Sequence, residues 1–418
     1  MKINRPTYLK RLIDGRNNGI IKIVTGLRRC GKSYLLFTLF HDWLVDNGIE
    51  ASKVIRIALD DVRNMKYLDP VALVEHVAEL TKGDGEYVVM LDEVQLVENF
   101  PAALNSLLRI PGIDLYVTGS NSRFLSSDVA TQFRGRGDEI HMYPLSFTEF
   151  SSVYNGSIEK AWEEYVTYGG LPQIIALKSH DAKAQFLKNI YQSVYIKDLL
   201  ERYSIGKPSE FETLVDIMAS GIGSPCNPFK LSNTFKTIVH KELGDDTVKL
   251  YLRYLEEAFL LEKACRYDVK GKKYIGTLSK YYFSDIGVRN AVLNFRQQEE
   301  NHIMENIIYN HLRAIGYGVD VGLVSVSGKD DEKGMVRRQQ LEVDFVVNCS
   351  SNRYYIQSAY AIPDKEKLAQ ESASLTCIKD NFKKIIIVNR QITPWYTDNG
   401  IRIVGLFDFL LSDNPLEL

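Results

Sequence analysis

Gly26, Gly31, Lys32 and Ser33 stand in the octapeptide GLRRCGKS, which fits the spacing G-x-x-x-x-G-K-[ST]. Between the glycines, Leu27, Arg28, Arg29 and Cys30 leave enough chain for the backbone to curl, with successive N–H groups turned inward as an anion nest. Lys32 in such a loop reaches the β and γ phosphates of a nucleoside triphosphate, and the Ser33 hydroxyl becomes a Mg²⁺ ligand. Residues 26–33, with Tyr34 directly after them, are the expected nucleotide contacts. A second chemical pair is Asp92-Glu93 in YVVMLDEVQ, residues 87–95. Asp92 is suited to hold Mg²⁺ through water, and Glu93 to orient or deprotonate an attacking water. A pair of acids at a strand end is also a common polar terminus. Next to an intact loop the expectation is ATP binding with Mg²⁺-dependent hydrolysis, and the alternative is a module that binds ATP and turns it over negligibly.

These residues need strands and a helix to place them. IIKIVT, residues 20–25, is an apolar β-branched run suited to a strand buried on both faces. After the loop, Leu35, Leu36, Leu39, Phe40, Trp43 and Leu44 recur at helical spacing until Asn47-Gly48 stops the helix. The run at 87–91 is a strand that delivers Asp92 and Glu93 at its C-terminal end, where ligands of open α/β sheets sit. A further strand, IDLYVTGSN at 113–121, would bring Thr118, Ser120 and Asn121 near the γ-phosphate if it lies between the other two. Arg134 and Arg136 lie in a Gly-rich loop before EIHMY. A guanidinium there could stabilise transition-state charge in this chain or in a neighbour, although solvated surface arginines are the commoner case.

The combination of GLRRCGKS, LDEVQ, VTGSNSRFLS, FRGRG and YPLSFTEF resembles the archaeal and bacterial ATPase group of the AAA+/STAND-like P-loop proteins. YGGLP, YLRYLEEAFLL, KYYFSDIGVRNAV and HIMENIIYNHL extend the resemblance over nearly the whole chain. It implies an α/β fold: a P-loop NTPase parallel-sheet core with a helical lid, then a winged helix and an α/β restriction-endonuclease-like domain. The expected divisions are 1–150 for the ATPase core, 151–205 for the lid, 206–275 for the winged helix and 276–418 for the last domain.

In the expected winged helix, helices at 209–220, 230–240 and 245–261 precede a two-strand wing, ACRYDVKGKKYI, turning at Lys270-Gly271. Such folds put the third helix in a DNA major groove and the wing along phosphates. Residues 226–275 hold ten Lys/Arg against seven Asp/Glu, with Arg266, Lys270, Lys272 and Lys273 in the wing. Both DNA contact and protein docking stay open. Beyond it, Glu305 on an amphipathic helix, Asp344 in LEVDFVV and the strand RYYIQSAY resemble the PD-(D/E)XK nuclease order. That resemblance implies an acid and a lysine two residues apart on the last strand, yet those slots hold Gln357 and Ala359. An amide is a poor Mg²⁺ ligand beside a carboxylate. Glu342 is expected to point away from Asp344, and nuclease activity is not expected.

Composition sets the frame. Over 418 residues, 51 Lys+Arg against 53 Asp+Glu leave a formal charge of −2, which gives no global case for a polyanion partner. The five cysteines show no C-x-x-C and the seven histidines no H-E-x-x-H, so reduced thiols, a cytoplasmic location and no structural zinc are expected. No stretch approaches the roughly 20 apolar residues of a membrane span, and the first residues form no apolar signal. Oligomeric state is left open by the sequence.

Overall fold

The computed structural model describes residues 2–119, 135–240, 242–296, 299–329 and 336–418. They form two compact units, one of Met1–Pro144 with Glu257–Phe259 and one of Leu145–Glu256 with Leu260–Leu418.

The first unit is built on a five-stranded sheet of β1 (Ile21–Gly26), β2 (Val54–Ala58), β3 (Tyr87–Asp92), β4 (Ile113–Thr118) and β5 (Gly137–Met142), in the order β2-β3-β4-β1-β5. Every pairing is parallel. β1 and β3 are buried at all positions, which is why their sequences read as unbroken apolar runs rather than alternating ones. On one face Ile21, Ile23, Val89, Leu91, Leu115 and Val117 pack with Leu73, Val77, Leu104 and Leu107 from the helices Pro70–Leu80 and Phe100–Leu107. The other face carries a buried ion pair, Lys22 with Asp114. Its carboxylate also accepts from the Tyr116 hydroxyl at 2.9 Å. A continuous helical run over 32–46 follows the loop and ends as expected, with Asn47 at its C-cap and Gly48 at φ 88°.

The second unit begins with helices. The segment expected as a lid supplies Ile158–Tyr168, His180–Ile190 and Lys197–Arg202. Helices at Pro208–Ser220, Pro228–Thr234 and Asp245–Glu257 fall where a winged helix was expected, the last of them shorter than anticipated. The wing differs more. Its strands are β6 (Leu261–Asp268) and β7 (Lys273–Phe283), and they belong to an eight-stranded sheet with β8 (Gly318–Lys329), β9 (Val336–Cys349), β10 (Asn352–Ala359), β11 (Lys383–Val388), β12 (Trp395–Tyr396) and β13 (Arg402–Gly405). The order is β12-β13-β11-β10-β9-β8-β6-β7. β6 joins it by pairing parallel with β8, Arg266 opposite Val321. The division expected at 275 therefore falls inside β7, and the hairpin is a sheet edge rather than a free-standing wing.

Asp285 ties the helix Ile158–Tyr168 to Ile286–Val292. Its carboxylate accepts the N–H of Gly170 at 2.7 Å and of Val288 at 2.9 Å. The approach is close: a Cβ on Gly287 would stand 1.9 Å from the Tyr168 carbonyl oxygen. Burial pushes the Asp285 carboxyl up to about 6, although the N–H donors pull the other way. An unfolded aspartate titrates near its ordinary 3.8. Between those values the folded chain holds a proton that the unfolded chain has lost, so stability falls as pH rises through the window, by up to about 3 kcal/mol. Denaturant unfolding at pH 4 and pH 6.5 should show that loss in the wild type and not in Asp285→Asn.

All five cysteines are free thiols. Among the described residues no helix is long and apolar enough to cross a membrane.

Candidate nucleotide site

β1 ends directly in the loop. Gly26 has φ 137°, and a Cβ there would stand 2.0 Å from the Met142 carbonyl oxygen on β5, so only glycine fits. Arg29 at φ 69° and Gly31 at φ 105° complete the curl. The Cys30 N–H donates to Leu27 O at 3.2 Å, and the Leu35 N–H to Gly31 O at 2.9 Å, which starts the helix. Cys30 is a packing residue: it is fully buried and its thiol faces the Met142 carbonyl at 3.4 Å. From outside the loop, the Arg5 guanidinium donates to Cys30 O at 3.2 Å and Tyr143 O at 2.7 Å, clamping loop and β5 together.

Lys32 is buried, and its Nζ donates to the loop's own carbonyls, Gly26 O at 3.0 Å and Leu27 O at 3.1 Å. A buried ammonium needs such acceptors. Arg28, Arg29 and Ser33 are exposed, and Tyr34 is half-buried. Asp92 at the end of β3 is buried. It accepts hydrogen bonds from the hydroxyls of Thr118, at the end of β4, and of Ser33. Burial raises its carboxyl above the ordinary range, the two hydroxyls lower it, and Glu93 and Asp60 nearby raise it again. Such a carboxylate gains most from a cation brought beside it. Glu93 sits at φ 55°, turned away from the strand direction. Its N–H donates to Thr118 Oγ1 at 3.0 Å, and its carboxylate accepts from the Gln95 amide.

β4 lies between β1 and β3, the arrangement that sensing by Thr118 requires. Lys32, Ser33, Asp92, Glu93 and Thr118 thus come together at the C-terminal ends of three adjacent strands. Arg136 does not join them. Its carbonyl accepts the Ile21 N–H at 2.8 Å, and the β1–β5 register sets Gly137 opposite Ile21 and Met142 opposite Gly26. Arg136 therefore flanks the start of β1, ~16 Å of strand from the loop. Its own chain's phosphates are out of reach. Arg134, Ser120 and Asn121 lie outside the described residues.

One group was not anticipated. Thr25, the residue before Gly26, donates to Glu139 on β5 and stands 3.2 Å from His141 Nδ1. With the hydroxyl proton on Glu139, the imidazole is the donor to Thr25 Oγ1, which fixes its tautomer. Only the pairing of β5 with β1 brings these residues to the loop.

A family model described as an AAA domain matches residues 18–151, and a domain of unknown function matches 159–299. The second span runs across the divisions expected at 205 and 275. An uncharacterized protein of Haemophilus influenzae is 32% identical over 416 residues, which cover 98% of this chain and 99% of that protein. The chain belongs to its family, with an AAA domain at the N-terminal end. An uncharacterized archaeal protein from Methanocaldococcus jannaschii is similar at 27% identity, over 97% of this chain and 88% of its own length. Among solved structures, a Walker-type ATPase of Pyrococcus abyssi superposes with a TM-score of 0.51 at 13% identity, covering 70% of this chain and 96% of that one. The fold is thus that of a P-loop ATPase, and the AAA domain carries the ATP-binding loop.

Proposed function

We propose that this family member hydrolyses ATP to ADP and phosphate with Mg²⁺ and uses the change to alter how its second unit meets a partner. The observation that carries the reading is the meeting of Lys32, Ser33, Asp92 and Thr118 at one end of β1, β3 and β4. The Lys32 ammonium exchanges the carbonyls of Gly26 and Leu27 for the β and γ phosphates, while the loop amides wrap the oxygens. Mg²⁺, when bound with the nucleotide, would neutralise charge across the phosphate oxygens, and Ser33 and Asp92 are the residues that would hold it. Glu93 orients the attacking water and takes its proton once Gln95 releases its carboxylate. Thr118, bonded to Asp92 and to the Glu93 N–H, registers whether the γ-phosphate is present. Arg136 can contribute only to a neighbouring chain's site.

The tie between Gln95 and Glu93 favours a second reading, a nucleotide-stabilised DNA- or protein-docking module with negligible hydrolysis. In either reading the helices of 208–257 and the hairpin β6–β7 are the proposed partner surface, with Lys270, Lys272 and Lys273 at its exposed turn. Lys32→Ala tests the shared premise. Loss of charge-assisted bonds to phosphate should weaken binding of labelled ATP by about 100-fold or more. Unchanged affinity would end both readings. Phosphate release measured with and without duplex DNA then separates them: turnover that DNA raises supports the switch, and background-level release in both supports the docking module.

A further inference from the structure

The second unit gathers charges that nucleotide chemistry does not use. Lys280 on β7 is only 3% exposed. Its Nζ stands 2.9 Å from Glu305 Oε1, 2.7 Å from Glu342 Oε1 and 3.9 Å from Asp344 Oδ1. Glu305 comes from the helix Glu300–Ile315 and the other two acids from β9. Around them, the Tyr282 hydroxyl donates to Glu305 Oε1 at 2.6 Å and the Ser358 N–H to Asp344 Oδ2 at 2.8 Å. Arg266 lies 3.4 Å from Glu342 Oε2, and His302 Nδ1 lies 3.8 Å from Glu305 Oε2.

Two expectations are corrected here. Glu342 does not point away from Asp344, since positions two apart in a strand share a face, and both meet the same ammonium. A lysine is also present, supplied by β7 rather than from the position of Ala359 on β10.

Glu305 and Asp344 are buried and Glu342 beside them is half-buried. Acids gathered this closely repel one another, and a cation among them offsets that repulsion. An ammonium in direct contact with two of them fills the space that a bridging ion would take, because Mg²⁺ or Ca²⁺ sits ~2.0–2.6 Å from its oxygens. Nitrogen and metal cannot both be there. We infer that Lys280 is a built-in counter-ion whose ammonium occupies the cation position of the Glu305–Glu342–Asp344 centre, so that the native protein takes no divalent metal there and the centre instead fastens β7 and β9 to the helix. The inference is independent of the nucleotide reading and concerns only the second unit.

Removing the ammonium and keeping the acids should turn the fastening into a metal site, because the stranded carboxylates then gain from any cation that replaces it. The test is a Mn²⁺ titration of the full, nucleotide-free chain, followed by calorimetry and by thermal unfolding. Wild type should bind no Mn²⁺ that Asp344→Asn removes, and any Tm response to Mn²⁺ should be the same in wild type and Asp344→Asn. Lys280→Met should unfold at lower temperature without metal, bind Mn²⁺ at least ~100-fold more tightly than wild type, and regain several degrees of Tm when saturated. The double variant Lys280→Met/Asp344→Asn should lose the gain. If Lys280→Met does not fold without metal, refolding it and Lys280→Gln with and without Mn²⁺ gives the same comparison. Wild-type Mn²⁺ binding that depends on Asp344 would overturn the inference. So would indifference of both Lys280 variants to Mn²⁺.

Discussion

Glu93→Gln should lower ATP turnover by ~10²–10⁴-fold while the chain still binds ATP. Glutamine keeps the size and one acceptor oxygen of the side chain but cannot take a proton from water. The backbone is unaffected, since the αL conformation of residue 93 and its N–H bond to Thr118 do not involve the carboxylate. ATP affinity rests on Lys32 and the loop amides and should stay within a few-fold of wild type. Single-turnover phosphate release together with binding of a labelled nucleotide separates the two quantities. If wild type and Glu93→Gln release phosphate equally slowly, Glu93 is not a base and the docking module is the better account.

Gly26→Ala should be the most damaging single-methyl change at the loop. The new Cβ would meet the Met142 carbonyl oxygen at 2.0 Å, on a backbone held at φ 137°. The neighbour is main chain of a paired strand and cannot swing aside, so β1 and β5 would have to separate where the loop begins. Strain of this kind costs ~1–3 kcal/mol per residue, before the steric clash is added. For a unit of this size that lowers Tm by several degrees. Nucleotide affinity should drop by more than ~100-fold, because the amides of Leu27 and the following residues no longer converge. Gly48→Ala is the control. Its φ of 88° brings similar backbone strain, but nothing lies within 4 Å of the added methyl. It should lose stability and keep nucleotide affinity.

The loop and its supports were legible because each depends on local order. A β-branched run, a glycine pair and an apolar 3.6-residue repeat specify strand, turn and helix without distant partners, and the Asn47-Gly48 stop is equally local. For Arg136 the sequence left both its own chain's site and a neighbour's open, because nothing local says which end of β5 faces the loop, and only the Ile21–Gly137 register sets it beside the start of β1. Thr25, Glu139 and His141 were invisible for the same reason. Lys280 meets acids 25 to 64 positions away across two strands and a helix, a contact with no periodic signature. The hairpin read as a wing at 264–275 lies within β6 and β7, but both strands run past those bounds. What it lacked was the parallel pairing of β6 with β8, a partner some fifty residues on that leaves no local mark in the hairpin's sequence.

Continuity of the eight-stranded sheet bears on how force could move through the second unit. A hydrogen-bonded ladder resists separation of its strands, so as far as the sheet keeps its native twist a tilt at one border carries to the other. With β7 at one border and β12 at the other, seven inter-strand gaps of ~4.8 Å make a lever arm of ~34 Å. A rotation of ~10° imposed on the hairpin would sweep the Trp395–Tyr396 border through ~6 Å. The hairpin that looks like a small appendage is thus one border of the eight-stranded sheet.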